Sequence, residues 1–433
     1  MCLKRKKKER GWLGENANPF SFDLFCLLLV QGEGLFKQIW LFENEFSPPV
    51  GGGEELPGNC KFDYKSGEVN VKKDELFENA IELLKQLISI QSYSGEEDKT
   101  ADVIEEYLKA QGFDAQRKKN NVWAWAGERD ETKPTILLNS HHDTVNASSK
   151  WSYDPFSPTI EEGKLTGLGS NDAGGPLVSL LHTFIHLAGT DQNYNLVFLA
   201  SAEEETSGKQ GVPIVLEELG KIDLGVVGEP TSMNMAIAER GLIVLDCIAH
   251  GKSGHAARSE GENALYKAMK DIEWFRNYEF EKRSEVLGKV NMTVTQIEAG
   301  SQHNVVPDEC KFVVDVRPNE HYTNKEAVDL IKDHVNCEVN PRSLNLNASG
   351  ISENHALVMK GKELGIKAYG SQTMSDQVHM PFPCIKMGPG DTHRSHTADE
   401  FIYLSEIEEG IETYIELLNK LELNPPSREV SAG

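Results

Sequence analysis

Three short apolar runs in this chain end in the same kind of chemistry. "TILLNS" at 135–140 runs into His141 and Asp143, "NLVFLAS" at 195–201 runs into Glu203, Glu204 and Glu205, and "DLGVVG" at 223–228 runs into Glu229. Helical segments separate them, one from Pro176 to about Ala188 and another ending before Gly220. Apolar strands alternating with helices predict an α/β fold, a mostly parallel sheet with helices on both faces. In such sheets ligands bind just beyond the carboxyl ends of the strands. The histidine and the acids are therefore expected on one sheet edge.

Side chains alternate along a strand, so His141 and Asp143 share a face while His142 points away as a packing neighbour. A further acid, Asp172, sits in the Gly-rich turn "GLGSNDAGG" before a helix. Carboxylates gathered at one edge repel one another unless a cation neutralises them. Imidazole nitrogen and carboxylate oxygen donors suit zinc, and manganese or cobalt would also fit. The competing zinc motif is absent at "HTFIH": His182 is followed by Thr183, not by the glutamate of H-E-x-x-H. That pair reads as an ordinary helix face.

Charge limits the partners. The 433 residues carry 44 basic and 68 acidic side chains, a net charge of −24, which argues against nucleic acid and anionic membrane. Seven scattered cysteines, none spaced C-x-x-C, read as reduced thiols of a cytoplasmic protein. Residues 1–73 are expected to be an extension of unknown structure. They hold the basic run "MCLKRKKKER", an eleven-residue apolar stretch interrupted by Asp23, and the linker "SPPVGGGEELPG". That stretch is too short to span a bilayer and no small-x-small cleavage site follows it. The sequons at Asn146, Asn291 and Asn347 read as chance matches, because a glycan on Asn146 would crowd Asp143.

From about residue 74 the pattern becomes regular. Leu76, Ala80, Leu83, Leu84 and Leu87 recur at helical spacing, and Ser94 with Glu97 predicts a capping box on the next helix. In the middle of the chain, "AIAERGLIVLDCIAH" predicts a strand, followed by a helix, two strands and the helix "NKEAVDLIKDHV". Strand, helix, strand, strand, helix describes an α+β unit inserted into the α/β one. The expected division is 74–232 and 345–425 for the two parts of the catalytic domain, and 233–344 for the insertion.

The order of the motifs carries a resemblance. H-x-D at 141–143, N-D-x-G-G at 171–175, E-E at 204–205, "GEPTS" at 228–232 and "SHTADE" at 395–400 resemble the signature series of the zinc-dependent acetylornithine deacetylase, succinyl-diaminopimelate desuccinylase and carboxypeptidase G family. The match covers roughly residues 75 to 425, and "SHHDTV", "GLGSNDAGG" and "AEEE" look most similar to the branch acting on acetylornithine or succinylornithine. The resemblance implies two metal ions bridged by Asp172, with His141 and Glu229 completing one site and Glu205 and His396 the other. It implies Glu204 as general base, with Asp143 orienting His141. It places His255, Asn304 and Arg317 at the substrate, on an inserted lid through which the chain forms a homodimer. Two positions depart from the commoner pattern: Ser140 replaces a glycine, and "GLGSNDAGG" lacks the Arg and Lys often seen around the bridging aspartate.

The expected activity is hydrolysis of an N-acyl amino acid, N-acetylornithine or N-succinylornithine first, as a step of arginine biosynthesis. A dipeptidase or carboxypeptidase, or a succinyl-diaminopimelate desuccinylase, is the alternative within the family. An inactive dimeric metal-binding scaffold is the alternative outside enzymes, and an intact Glu204 speaks against it because binding alone needs no base.

Overall fold

A computed structural model describes residues 73–423, Ser259 excepted. The basic run, apolar stretch and linker of the expected extension lie outside the described residues, as do Cys2, Cys26 and Cys60. Cys247, Cys310, Cys337 and Cys384 are free thiols. Among the described residues, no helix is long and apolar enough to cross a membrane.

The large sheet has nine strands. Its centre runs Asn195–Ser201, Thr135–His141, Leu224–Gly228, Cys384–Met387, and these four neighbours are all parallel. Strands paired antiparallel flank them, Asn121–Trp125 and Gln116–Lys118 on one side and Met235–Glu239 and Ser349–Gly350 on the other, and Ala368–Ser371 pairs parallel to Met235–Glu239. Alternate residues of the central strands face opposite layers. Ile136, Leu138, Leu196, Phe198 and Val226 pack into a core shared with Leu84, Leu108, Phe184, Leu357 and Tyr414 from five helices. Leu137, Val197, Leu199 and Val227 pack into a second core with Val215 and Leu219 of the helix Pro213–Leu219. Being covered on both faces is what makes the strands apolar throughout.

One local expectation fails. The helix Asp98–Ala110 starts after Glu97, and no side chain caps it. Ser94 instead donates its hydroxyl proton to the Asp143 carboxylate. The Glu97 carboxylate accepts from the Glu203 amide at 3.2 Å and from Asn120 Nδ2 at 2.9 Å. Both residues of the expected box therefore hold the sheet edge rather than the helix end.

The second sheet has four antiparallel strands in the order Asn291–Ala299, Glu309–Arg317, Ile243–His250, Glu338–Pro341. Burial alternates along Ile243–His250, as expected for a sheet with one covered face. Its inner residues pack with Ala264, Ala268 and Phe275 of one helix and Ala327, Val328 and Ile331 of another. The second of these helices carries a true capping box, Thr323 with Glu326. The expected start of the insertion at 233 needs correction. Met235–Glu239 is fully buried in the large sheet, and the second sheet opens only at Ile243. Arg240 and Gly241 break the apolar run between the two, and Arg240 is buried against the carbonyls of Lys289, Leu287 and Arg317.

His142, expected as a packing neighbour, and His182, expected on an ordinary helix face, are both buried and held by hydrogen bonds. His142 is buried, with Nδ1 bonded to Thr100 Oγ1 at 2.9 Å and Nε2 to the Asn120 carbonyl at 2.8 Å. His182 Nδ1 donates to the Val178 carbonyl at 2.7 Å, which leaves Nε2 to accept from the Tyr107 hydroxyl at 2.7 Å. Burial pushes the His182 pKa down to about 4. A folded-state pKa below the ordinary value near 6.5 gives stability that is complete above that value and lost as pH falls toward 4. Acidifying from pH 7 to 5 is therefore expected to cost the fold about 1–3 kcal/mol through His182. Urea unfolding at the two pH values checks this. His182→Gln should show a shallower loss, and an equal loss in both proteins would contradict the assignment.

Candidate metal centre

The parallel strands deliver their last residues to one place. His141 closes its strand almost fully buried. Its Nδ1 donates to the Asp143 carbonyl at 2.9 Å, which orients the ring and turns Nε2 toward Asp172 Oδ1 at 3.4 Å and Glu229 Oε1 at 3.8 Å. Burial alone would lower the His141 pKa. The carboxylates of Asp143, Asp172, Glu204 and Glu229 outweigh it and hold the pKa well above the ordinary value. Ser140, where a glycine is commoner, donates to the Gly228 carbonyl at 2.8 Å and so ties the His141 strand to the residue before Glu229.

Asp143 acts on a second element. Its carboxylate accepts the amide protons of Glu204 and Glu205, each at 3.1 Å, besides the Ser94 hydroxyl. It reaches His141 with its carbonyl, while its carboxylate lies 3.5 Å from Nδ1. The glutamates follow a backbone turn in which Glu203 has φ +57°. His396 shares that left-handed conformation, φ +59°, which is uncommon for a residue with a Cβ and concentrates at functional sites. Its Nε2 lies 2.9 Å from Glu205 Oε2 and 3.7 Å from Asp172 Oδ2. Hydrogen bonding to Glu205, above all, lifts the His396 pKa to about 9. Burial, then the charge of Glu229, pushes Glu204 well above the carboxylate range; burial, then the charge of Asp172, does the same to Glu229.

These groups fit divalent metal. His141, Asp172 and Glu205 each offer an atom within 4.8 Å of the others, and so do His141, Glu204 and Glu229. His141 Nε2 is buried without a hydrogen-bond partner, which is costly for a polar atom and is relieved by a ligated cation. Asp172 lies between the two histidines, so one carboxylate can serve two ions. The donor set, nitrogen and oxygen without sulfur, suits zinc, cobalt or manganese. Glu204 lies as near His141 and Glu229 as a ligand would. Its reading as the base rests on the order of residues in the motif.

The structure gathers His141, Asp143, Asp172, Glu204, Glu205, Glu229 and His396. His255, Asn304 and Arg317 share no hydrogen bond or ion pair with that cluster among the described residues. The first two are neighbours: the exposed His255 pairs with Val305, and the Asn304 carbonyl accepts the Ala256 amide at 3.0 Å. Arg317 makes a two-point ion pair with Asp315 of its own strand, at 2.8 and 3.0 Å.

Sequence reasoning missed the layer beneath the site. Asp376 Oδ2 accepts from Ser201 Oγ at 2.5 Å and Asn139 Nδ2 at 3.0 Å, joining the strands that deliver His141 and Glu204. Lys386, buried in its strand, meets the equally buried Glu239 at 2.8 Å. Lys386 also donates to the Thr373 carbonyl at 3.1 Å, and Glu239 accepts from the Ser375 amide and hydroxyl at 3.1 and 2.9 Å. The segment carrying Asp376 is thus tied to four strands. A lysine in an apolar strand, "CIKMG", was the one visible signal.

The fold recurs in known proteins. Residues 137–420 match the model of peptidase family M20/M25/M40, and the chain is a member of that family. A succinyl-diaminopimelate desuccinylase of Wolbachia pipientis is 26% identical over 289 residues, 62% of this chain and 72% of the relative. Aminopeptidase PepT of Bacillus cereus superposes with a TM-score of 0.64 at 16% identity, over 80% of this chain and 98% of the other. The YXEP protein of Bacillus subtilis, described as a dinuclear metal binding peptidase, superposes with a TM-score of 0.60 at 15% identity, over 80% of this chain and 98% of its own.

Removing one partner of a buried ion pair strands the other charge. Lys386→Met is expected to destabilise the metal-free protein by about 3–5 kcal/mol in urea unfolding, and adding Glu239→Gln should recover part of that loss. A loss by Lys386→Met of less than about 1 kcal/mol, the scale of a solvated surface pair, would contradict the buried network.

Proposed function

We propose that this chain is a dinuclear metal-dependent amidohydrolase that removes the acyl group of N-acetylornithine or N-succinylornithine in arginine biosynthesis. The observation that carries the metal chemistry is the buried, unpartnered His141 Nε2 facing Asp172 and Glu229. His141 and Glu229 would hold one ion, Glu205 and His396 the other, with Asp172 between them; zinc is the first choice, cobalt or manganese the others. When bound, two such ions supply Lewis-acid activation of an amide carbonyl and of water. The Glu204 carboxylate takes the proton of the attacking water and delivers it to the leaving nitrogen. Asp143 fixes where that carboxylate stands, because it holds the Glu204 and Glu205 amides. The second sheet and its helices form the inserted lid and dimer contact. From it, His255 of one protomer donates a hydrogen bond to the developing oxyanion in its partner's site, and Asn304 and Arg317 meet the substrate. The ornithine preference rests on the likeness of "SHHDTV", "GLGSNDAGG" and "AEEE" to that branch. The four cysteines among the described residues are free thiols, which supports a cytoplasmic location.

A second reading has its own support. The relative named as a succinyl-diaminopimelate desuccinylase makes a longer succinylated diamino acid a substrate candidate.

Amine release from N-acetylornithine, N-succinylornithine, N-succinyl-diaminopimelate and several dipeptides, with added zinc or cobalt, separates these readings. Acylornithines are expected to be cleaved, with activity lost to a chelator and restored by metal. Cleavage of dipeptides alone would end the deacylase reading. Glu204→Gln is expected to keep both metals and lower kcat on the order of a hundredfold or more. A near-normal rate would remove Glu204 from the base role, and loss of metal would make it a ligand.

A further inference from the structure

Two separate chain segments supply Asp172 and His396, and a third carboxylate binds them together. Glu400 is almost fully buried, four residues beyond His396. Its Oε1 accepts the amide protons of Asn171 at 2.8 Å and Asp172 at 2.9 Å, and its Oε2 accepts that of Gly169 at 3.3 Å. Its own carbonyl accepts the Gly167 amide at 3.0 Å. One residue therefore fixes the turn on which Asp172 stands along most of its length. The turn needs such a holder, since Gly169 has φ +76° and the backbone from 169 to 172 points several amides to one side. The contact also has a fixed register: Phe401 pairs with Thr166, so the strand leaving the His396 loop zips onto the strand entering the Asp172 turn.

A second tie runs nearer His396. Asn171 Nδ2 donates to the Asp391 carbonyl at 3.1 Å and to Ser395 Oγ at 3.4 Å, and its Oδ1 accepts the Asp391 amide at 2.9 Å. Gly390 lets the loop come this close, because a Cβ there would stand 2.5 Å from Asn171 Oδ1. The Asp172 turn and the 391–400 loop are thus zipped at both ends. His396 sits between the two ties without a backbone restraint of its own among the hydrogen bonds described.

We propose that Glu400 is a positioning residue for the metal centre: by clamping the Asp172 turn to the loop that carries His396, it builds the position served by Asp172, Glu205 and His396. The inference rests on the dinuclear reading above. It adds a dependence that the ligands alone do not imply. His141 closes one strand of the large sheet and Glu229 follows another, so the clamp reaches their position only through Asp172 but reaches the other through both Asp172 and His396, and the two metal positions should respond unequally when Glu400 is changed.

Titration of metal-free full-length protein with cobalt(II), followed by visible absorption and calorimetry, reads the two positions without any assay of activity. Wild type is expected to take up two equivalents. Glu400→Ala should weaken the second equivalent by about 10–100-fold, the usual effect of removing a group that holds a ligand, and the first by less than about tenfold. Glu400→Gln keeps the volume and the acceptor toward Asn171 and Asp172 but sets an amide NH2 against the Gly169 N–H. It should lie between Glu400→Ala and wild type, and it decides the matter alone if Glu400→Ala does not fold. Two equivalents bound as tightly by the Glu400 variants as by wild type would overturn this proposal and leave the metal centre standing. Equal weakening of both equivalents would reduce Glu400 to a general structural role and overturn it too. Wild type that takes up fewer than two ions would overturn the dinuclear reading and this proposal with it.

Discussion

Five carboxylates, Asp143, Asp172, Glu204, Glu205 and Glu229, crowd against two imidazoles at one end of a largely apolar sheet. Like charges this close oppose one another, and burial raises the penalty for each. Asp143 resolves its share within the protein: burial pushes its pKa up, but His141 first and then the Ser94 hydroxyl hold it at about 2, and its carboxylate also accepts the Glu204 and Glu205 amides. Glu204 and Glu229 have no comparable set of donors and are driven upward instead. The difference marks which acid belongs to the scaffold and which acids are left facing the cleft for a cation or a proton.

The rest of the structure follows from the need to hold that crowd still. A parallel sheet covered on both faces delivers three strand ends to one place without further instruction. What the strands cannot supply, separate segments do: Asp376 joins two strand ends beneath the site, Lys386 neutralises Glu239 and anchors Thr373, and Glu400 binds the Asp172 turn. Each of these polar groups is buried and finds its partners, as a low-dielectric interior requires. The second sheet has its own core, and among the described residues its side chains make no hydrogen bond to Asp376, Lys386, Glu239 or Glu400. The places of His255, Asn304 and Arg317 at the substrate accordingly belong to the proposed function and not to this framework.

His141 and Glu229 could be placed at one edge from the sequence because apolar strands announce themselves and ligands gather at their carboxyl ends, whereas Asp172 stands in a Gly-rich turn and only the order of motifs pointed to it. His142 could be set aside by alternation. Which of Glu203, Glu204 and Glu205 faces the cleft could not be read this way, because a left-handed residue at Glu203 resets the direction of the chain. His396 lies on a loop, so only the order of motifs pointed to it. Ser94 and Glu97 carried a sound local capping signal that tertiary contacts overrode, since Asp143 and the Glu203 amide offered them buried partners. Asp376 and Glu400 were invisible for a related reason: their partners are backbone amides and small polar side chains 175 to 237 residues away, and no periodicity records such a contact. The strand Met235–Glu239 was assigned to the wrong sheet because its apolar pattern continues past Arg240 and Gly241 with little to mark the break.

Anomalous diffraction from crystals of the full chain grown with zinc, recorded on both sides of the zinc absorption edge, tests the central claim most directly. The account predicts two peaks on opposite sides of the Asp172 carboxylate, one against His141 and Glu229 and the other against Glu205 and His396. A single peak, or peaks that leave His141 Nε2 without a ligand, would contradict it.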